Sequence, residues 1–307
     1  MVEAERDNLL WYQGWWMEQG SRGAEEQGRR EAWERVMAYA WVLEPLLDTF
    51  GYWADRALVL ERGLKASQAI EDRSKEGVFL HHLGMLAQAQ GDYPAARRYY
   101  QQSLEIKQAL GDKAGVAKSW HELGNLAYLQ GDYATARRYY EQSLEIKQAL
   151  GDKAGVANSY GQLSLLAASQ GDYAAARDYI EKARQIFKAL GDKAGVAKSY
   201  HQLGVLAQAQ GDYPAARRYY EQALTTFKDL GARAEVASVL GQLGKLAEAE
   251  GKLEEAVRLW LAAAAIFQEL RSPYLKLALS DLARAREKLG EERFEELMRE
   301  VGLEVGR

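Results

Sequence analysis

The sequence repeats itself with a fixed period of 40 residues and no insertions. Residues 102–117 recur without a single change at 142–157, and a Gly-Asp-Tyr triplet returns at 91–93, 131–133, 171–173 and 211–213. A unit of this length cannot bury an apolar face alone, so successive units must stack on one another. The period therefore predicts a solenoid, an architecture that usually provides a binding surface and rarely a catalyst.

Residues 111–150 show how one unit folds. Gly111 can adopt a positive φ and end one helix, and Asp112 can cap the next. Gly131 and Asp132 repeat the same signal 20 residues later. Apolar residues between these points follow helical spacing in both halves of the unit: Val116, Trp120, Leu123 and Ala127, then Tyr133, Ala136, Tyr140 and Leu144. The pattern predicts an antiparallel hairpin of two helices of about 17 residues each.

Small residues occupy one position in the middle of each predicted helix. Gly124 lies mid-helix, where glycine costs about 1 kcal/mol relative to alanine. The other units are also small there, with Gly84, Ser164, Gly204 and Gly244. The second helices carry Ala96, Ala136, Ala176, Ala216 and Ala256 at a common position. These positions predict that a neighbouring helix passes too close for a larger side chain.

The pattern of Trp120, Leu123, Gly124, Tyr133 and Ala136 resembles the tetratricopeptide repeat over about residues 28–270. The 40-residue unit is similar to the long repeats of the LGN/Pins scaffold proteins, the kinesin light chains and the C-terminal arrays of bacterial STAND regulatory ATPases. The resemblance implies an all-α, right-handed α-solenoid of antiparallel helical hairpins. It also implies a concave groove that binds a protein or peptide without catalysis.

The N-terminal region departs from the repeat. It holds five of the eight tryptophans, namely Trp11, Trp15, Trp16, Trp33 and Trp41. We expect helices at about 3–19 and 29–48 separated by a flexible stretch at 20–28, with the second helix opening a degenerate first repeat. The expected organisation is N-terminal capping helices at 1–50, the repeat array at 51–270 and C-terminal capping helices at 271–307. The tryptophans either pack this cap or form a docking surface.

The C-terminal region also drifts from the repeat. Pro273 is expected to open a helix that ends near Leu289, followed by a short terminal helix with a polar face. The nucleotide-binding pattern G-x-x-x-x-G-K-[ST] occurs nowhere in the sequence. The chain is therefore either the sensor region of a STAND-type ATPase or a free-standing scaffold.

Composition excludes several function classes. The net charge of −4 argues against nucleic-acid or membrane partners, and the absence of cysteine excludes disulfides and thiolate metal sites. No signal peptide is visible, and the nearly uncharged stretch 259–268 is too short to span a bilayer. We expect a cytoplasmic protein that uses no cofactor.

The histidines do not predict a metal or catalytic site. His81, His121 and His201 occupy one repeat position, which places neighbouring members about one repeat apart, on the order of 10–20 Å, whereas zinc ligands converge within about 2.3 Å of one ion. No nucleophile or carboxylate pair accompanies them at a fixed spacing. Neither a metal site nor an enzyme is expected.

The family's ligand-facing positions give a candidate binding groove. Carried onto the repeats, these positions give the candidate site residues Lys118, His121, Asn125, Tyr128, Leu129, Asn158, Lys198, His201 and Gln208. The same positions also include Gly161, Leu165, Ala168, Ser169, Val205 and Ala209. This set predicts a mildly basic, amphipathic groove suited to a segment with apolar side chains and some carboxylates. The alternative is that these groups only solvate the face.

Paired arginines form a second periodic row on the second helices, at 97–98, 137–138 and 217–218. They could bind phosphate, but Glu141 and Glu221 lie four residues after Arg137 and Arg217, which suits local ion pairs. Together with the acidic net charge, this spacing favours a solvated face. The leading hypothesis is thus groove recognition of a protein or peptide, and the alternative is a scaffold or a module that self-associates through its ends.

Overall fold

The computed structural model describes residues 2–22 and 26–300, which form fifteen α-helices and no strand. The chain divides into two compact units, Met1–Asp152 and Lys153–Arg307. The first contains α1 Val2–Ser21, α2 Glu26–Thr49, α3 Trp53–Ala69, α4 Arg73–Ala89, α5 Tyr93–Ala109, α6 Lys113–Leu129 and α7 Tyr133–Ala149. The second contains α8 Lys153–Ser169, α9 Tyr173–Ala189, α10 Lys193–Ala209, α11 Tyr213–Asp229, α12 Arg233–Ala249, α13 Leu253–Glu269, α14 Leu275–Leu289 and α15 Glu291–Glu300.

Glycine and aspartate set the ends of the repeated helices as the sequence predicts. Gly111 has a φ of 69°, in the left-handed region that glycine adopts readily. The Asp112 carboxylate accepts a hydrogen bond of 2.9 Å from the backbone N–H of Gly115 and so satisfies an otherwise unpaired donor of α6. The same cap recurs at Asp92, Asp132, Asp172, Asp192 and Asp212. Each helix from α3 to α13 has 17 residues, which confirms the predicted length.

Consecutive helices pack as hairpins. In the first unit the most extensive pairs are α2 with α3, α4 with α5, and α6 with α7, and in the second they are α8 with α9, α10 with α11, and α12 with α13. The second helix of one hairpin also packs on the first helix of the next, as α5 does on α6 and α11 on α12. This pattern of nearest-neighbour packing confirms the all-α solenoid.

An aromatic ring explains the small residue in the middle of the first helix. A Cβ atom at Gly124 would lie 2.6 Å from the ring of Tyr140 in α7. Gly84 and Gly204 stand in the same relation to Tyr100 and Tyr220. The close neighbour is thus a buried tyrosine of the same hairpin, and the glycine makes room for its ring.

The terminal helices differ in extent from the expectation. The sequence predicts a flexible linker at 20–28, but α1 continues to Ser21 and α2 begins at Glu26, while residues 23–25 lie outside the described residues. Glu26 and Gln27 have high helix propensity, so α2 starts before the predicted residue 29. At the other end, Pro273 lies in a turn and α14 begins at Leu275. The segment after Glu300 lies outside the described residues.

The tryptophans of the N-terminal region divide into buried and exposed positions. Trp33 is buried in a core cluster shared by α2, α3 and α4, and the half-buried Trp16 packs against that cluster. Trp11, Trp15 and Trp41 remain 62%, 39% and 39% exposed. Within 2–22 and 26–300, none of the helices has the length and apolar character needed to cross a membrane.

Candidate functional site on the first helix of each hairpin

Five of the predicted site residues lie on α6. Lys118 and Leu129 are exposed, whereas His121, Asn125 and Tyr128 are half-buried. All five belong to the face of α6 that is turned away from its own core residues Leu123, Leu126 and Ala127. We call this side of the first helices the first-helix face.

The second unit repeats this face on α8 and α10. Asn158 on α8 and Lys198 on α10 are exposed, and His201 and Gln208 on α10 are half-buried. Leu165 of α8 and Val205 of α10 are 43% and 42% exposed. Each of the two compact units thus carries a set of the predicted residues that includes a lysine and an exposed aliphatic side chain.

The histidines of this face pack on the buried tyrosines of their own hairpins. The ring centres of His121 and Tyr140 are 5.7 Å apart, and those of His201 and Tyr220 are also 5.7 Å apart. In the α8–α9 hairpin, Ile180 replaces the tyrosine and Gly161 replaces the histidine. The imidazole therefore covers the tyrosine ring and is present only where that ring is present.

Burial keeps these imidazoles neutral near pH 7. Loss of solvent, and then the nearby Lys147 ammonium, lowers the pKa of His121 to about 4. Burial likewise lowers the pKa of His201, and burial followed by Lys107 lowers that of His81 to about 3. On α6 and α10 the positive charge of the first-helix face consequently comes from Lys118 and Lys198.

Hydrogen bonds hold two of the predicted polar residues against the hairpin. The Tyr140 hydroxyl donates to Asn125 Oδ1 at 2.9 Å, and Asn125 Nδ2 donates to Glu122 Oε2 at 3.0 Å. The Tyr220 hydroxyl donates to Gln208 Oε1 at 2.9 Å. In each of these hairpins the tyrosine hydroxyl therefore positions the amide side chain, Asn125 or Gln208, and the histidine covers the ring of the same tyrosine.

A buried lysine beneath the face was missed by the sequence reasoning. The Lys107 side chain leaves α5 and passes Gly115 of α6, whose added Cβ would lie 2.8 Å from Lys107 Cδ. Its ammonium donates to Ser119 Oγ at 3.3 Å, and burial lowers its pKa to about 8. Burial also raises the pKa of the neighbouring Glu122. The sequence did contain a signal that this lysine is buried, because later repeats have Phe187, Phe227 and Phe267 at the position of Lys107.

A second missed group is a buried ion pair in the first hairpin. Arg56 of α3 donates through Nε to Glu44 Oε1 of α2 at 2.9 Å and through a terminal nitrogen to Asp48. His82 Nδ1 lies 3.3 Å from Glu44 Oε1, and this imidazole together with the Arg56 guanidinium lowers the pKa of Glu44. Trp41 lies edge-on to the His82 ring at 5.8 Å.

Two arginines of the row on the second helices, Arg217 and Arg138, contact other side chains of the protein. Arg217 was expected to pair with Glu221 but instead pairs with Glu250 and Glu255 of the next hairpin, each at 2.7 Å. The carboxylates of Glu250 and Glu255 lie within reach of Arg217 because α11 packs directly against α12 of the next hairpin. Arg138 lies 5.2 Å from the ring centre of Tyr139. Across the described part of the chain, no three histidine or acidic residues come together in a way that could hold a metal ion.

Comparison with known proteins gives family matches to the repeats. A family model described as tetratricopeptide repeat matches residues 77–149 and 155–229, and a second model of the same description matches 201–271. A search of curated protein sequences finds no match.

Several solved structures share the fold at low sequence identity. BtubC (BKLC) from P. vanneervenii is 23% identical over 78% of this chain and 92% of its own, with a TM-score of 0.54. A Rap protein complexed with competence and sporulation factor is 15% identical over 85% of this chain and 76% of its own, with a TM-score of 0.59. A STAND protein with a tetratricopeptide repeat sensor from Pyrococcus horikoshii is 16% identical over 96% of this chain and 45% of its own, with a TM-score of 0.63. At these identities the likeness concerns the fold alone.

Proposed function

The chain belongs to the tetratricopeptide repeat family, and from that premise we propose that it is a non-catalytic module that binds a protein or peptide on its first-helix faces. The observation that carries the proposal is the exposure of aliphatic side chains there. Leu129, Leu165 and Val205 are between 42% and 52% exposed in helices whose other leucines are buried. Lys118 and Lys198 add positive charge beside them.

The proposed ligand is a segment that combines apolar side chains with carboxylates. Aliphatic side chains on each face would cover the apolar part of the ligand, and the lysine of that face would attract its acidic part. His121 and His201 contribute shape and a neutral ring near pH 7, because burial lowers the pKa of both imidazoles.

Affinity capture from a lysate of the source cells tests the assignment. The baits are the wild-type chain, a Lys118→Glu/Lys198→Glu variant, and a Lys113→Glu/Lys193→Glu control with the same charge change on the same two helices. All four lysines are exposed, so both variants are expected to fold. A partner held by the wild type and control but lost by the first variant would support the proposal. Equal retention by all three baits would refute the assignment of these faces.

We further propose that the module works in the cytoplasm as the sensor region of a larger STAND-type signalling ATPase. Support comes from the fold that 96% of the chain shares with the STAND protein that has a tetratricopeptide repeat sensor. An immunoblot of source cells tests this idea through the mass of the native protein. A mass well above 34.4 kDa is expected, whereas a native mass of 34.4 kDa would contradict it and favour a free-standing scaffold.

A further inference from the structure

A cleft on the N-terminal helices lies apart from the first-helix faces. It has a volume of about 550 Å³ and runs between α1 and Arg62 of α3. Its walls include Trp11, which is 62% exposed, and Trp15, which is 39% exposed. Leu10 and Met17 add apolar surface. The volume falls within the range of about 300–1,000 Å³ that is typical of ligand sites.

Arg62 brings a positive charge into this cleft without a counter-charge. Its terminal nitrogen donates to the carbonyl oxygen of Leu10 at 3.0 Å and to Gln13 Oε1 at 3.4 Å, and both acceptors are neutral. Among the described residues no carboxylate lies within 4.0 Å of the guanidinium, whereas Arg6 pairs with Asp7 and Asp55. The side chain is half-buried, and burial lowers its pKa.

A glycine in α1 lies beside the guanidinium. An added Cβ at Gly14 would lie 3.4 Å from a terminal nitrogen of Arg62, which is van der Waals contact. Glycine in a helix interior costs about 1 kcal/mol relative to alanine. Gly14 lies between Trp11 and Trp15 in sequence, so the charge emerges on the stretch of α1 that carries the exposed indoles.

We propose that this cleft binds an acidic peptide segment in which a glutamate or aspartate side chain has large apolar neighbours. The carboxylate would take the free N–H groups of Arg62 in a charge-assisted pair. Trp11 and Trp15 would cover the apolar neighbours, as aromatic anchors do at interfaces. Glu18 also lines the cleft, but it lies 3.3 Å from Arg22 and leaves Arg62 unpaired.

The length of the cleft favours a peptide over a small carboxylic acid. The lining residues of α1 extend from Leu10 to Ser21, eleven residues further along the helix. At 1.5 Å per residue this distance is about 17 Å, which an extended segment of about five residues would span.

Titration of the wild-type chain with end-blocked pentapeptides and one small acid tests the proposal. Binding is followed through the nuclear magnetic resonance signals of the Trp11 and Trp15 indole N–H groups. The pentapeptides are Ala-Leu-Glu-Leu-Ala, its glutamine counterpart Ala-Leu-Gln-Leu-Ala and Ala-Ala-Glu-Ala-Ala, and the small acid is 3-phenylpropionate. We expect the first peptide to shift both indole signals and to bind about tenfold more tightly than each of the others.

The Arg62→Gln variant assigns the charge to its residue. The preference for glutamate over glutamine should fall below about twofold in this variant and stay at about tenfold in Arg138→Gln, which removes an exposed arginine from α7. Equal binding of the glutamate and glutamine peptides by the wild type would overturn the proposal. So would unshifted indole signals, or 3-phenylpropionate binding as tightly as the peptide. These wild-type measurements decide the matter even if Arg62→Gln fails to fold.

Discussion

The first hairpin, α2–α3, and the later hairpins hold their two helices together in different ways. In α4–α5 and α6–α7, glycine in the first helix faces a tyrosine, and alanine occupies the crossing position of the second helix. In α2–α3 the corresponding residues are Glu44 in place of glycine, Leu60 in place of tyrosine and Arg56 in place of alanine. Glu44 and Arg56 are only 7% and 5% exposed and form an ion pair.

The difference shows that residue type is not fixed at this crossing. The α8–α9 hairpin is intermediate, with Ser164 in the first helix and Ile180 in the second. Close packing explains this exchange of glycine and tyrosine for serine and isoleucine, because a core tolerates substitutions that keep the total volume. The α2–α3 crossing does not keep that volume, since Glu44 and Arg56 are both larger than the residues they replace, and the two side chains form an ion pair instead.

Arg56→Ala should produce the largest effect, because it leaves the Glu44 carboxylate buried without its counter-charge. Loss of one partner of a buried pair costs about 3–5 kcal/mol. Urea unfolding should show this loss in the free energy of unfolding. The triple variant Glu44→Gly/Arg56→Ala/Leu60→Tyr recreates the later crossing and should recover most of it. A loss below about 1 kcal/mol for Arg56→Ala would mean that the pair does not hold the hairpin.

Replacing Lys107 by phenylalanine tests whether charge is needed beneath the later crossings. The double variant Lys107→Phe/Glu122→Gln reproduces the arrangement of Phe187 and Gln202, with Gly115 making room as Gly195 does for Phe187. Removing the buried ammonium should stabilise the chain by about 1–4 kcal/mol at pH 7. Thermal unfolding shows whether the double variant is more or less stable than the wild type. A midpoint temperature below that of the wild type would contradict the expectation.

The effect of Lys107 on stability can also be measured through the pH dependence of the free energy of unfolding. Its pKa is about 8 in the folded chain and 10.5 as an ordinary lysine, so the unfolded chain binds more protons between these values. Wild-type stability should therefore gain from this group as pH rises from 8 to 10.5. The double variant should lack that gain, whereas a Lys113→Met control, at an exposed site, should keep it.

Gly124→Ala should destabilise the α6–α7 hairpin by about 1–3 kcal/mol, because the new methyl group meets the Tyr140 ring at 2.6 Å. Adding Tyr140→Ile should offset part of this loss, as the Ser164 and Ile180 pair suggests. The matched control is Gly161→Ala, where the nearest atom to the new Cβ is 3.9 Å away. That change should stabilise the chain by about 0.5–1 kcal/mol through helix propensity. Equal effects at both glycines would refute the steric explanation.

Acidification should weaken the hairpins that have a histidine on their tyrosine. The pKa of His121 is about 4 in the folded chain and 6.5 when unfolded, so unfolding takes up a proton between these values. Its contribution to stability is complete above pH 6.5 and falls as pH drops, by about 1 kcal/mol between pH 6.5 and 5.5. His121→Phe should reduce the pH slope of the unfolding free energy over this interval. An unchanged slope would show that the imidazole is not buried.

Local signals in the sequence predicted much of the fold and part of the candidate site. Gly111 and Asp112 mark a helix boundary because their roles depend on backbone torsion and a neighbouring N–H group. The position of Lys118 on an exposed face followed from helical spacing and the family pattern. The packing of His121 on Tyr140 did not follow, because its partner lies 19 residues away on another helix.

By itself the sequence determined the period, the length and ends of the repeated helices, their pairing into hairpins and the family, since all of these depend on interactions within one 40-residue unit. Only the tertiary structure decided that Glu44 and Arg56 meet in a crossing otherwise made of small residues, and that the Lys107 ammonium lies beneath the first-helix face. It alone placed Arg62 in an aromatic cleft without a carboxylate. The physical reason is that desolvation and pairing depend on atoms from several helices, whereas capping and helical spacing depend on neighbours along the chain.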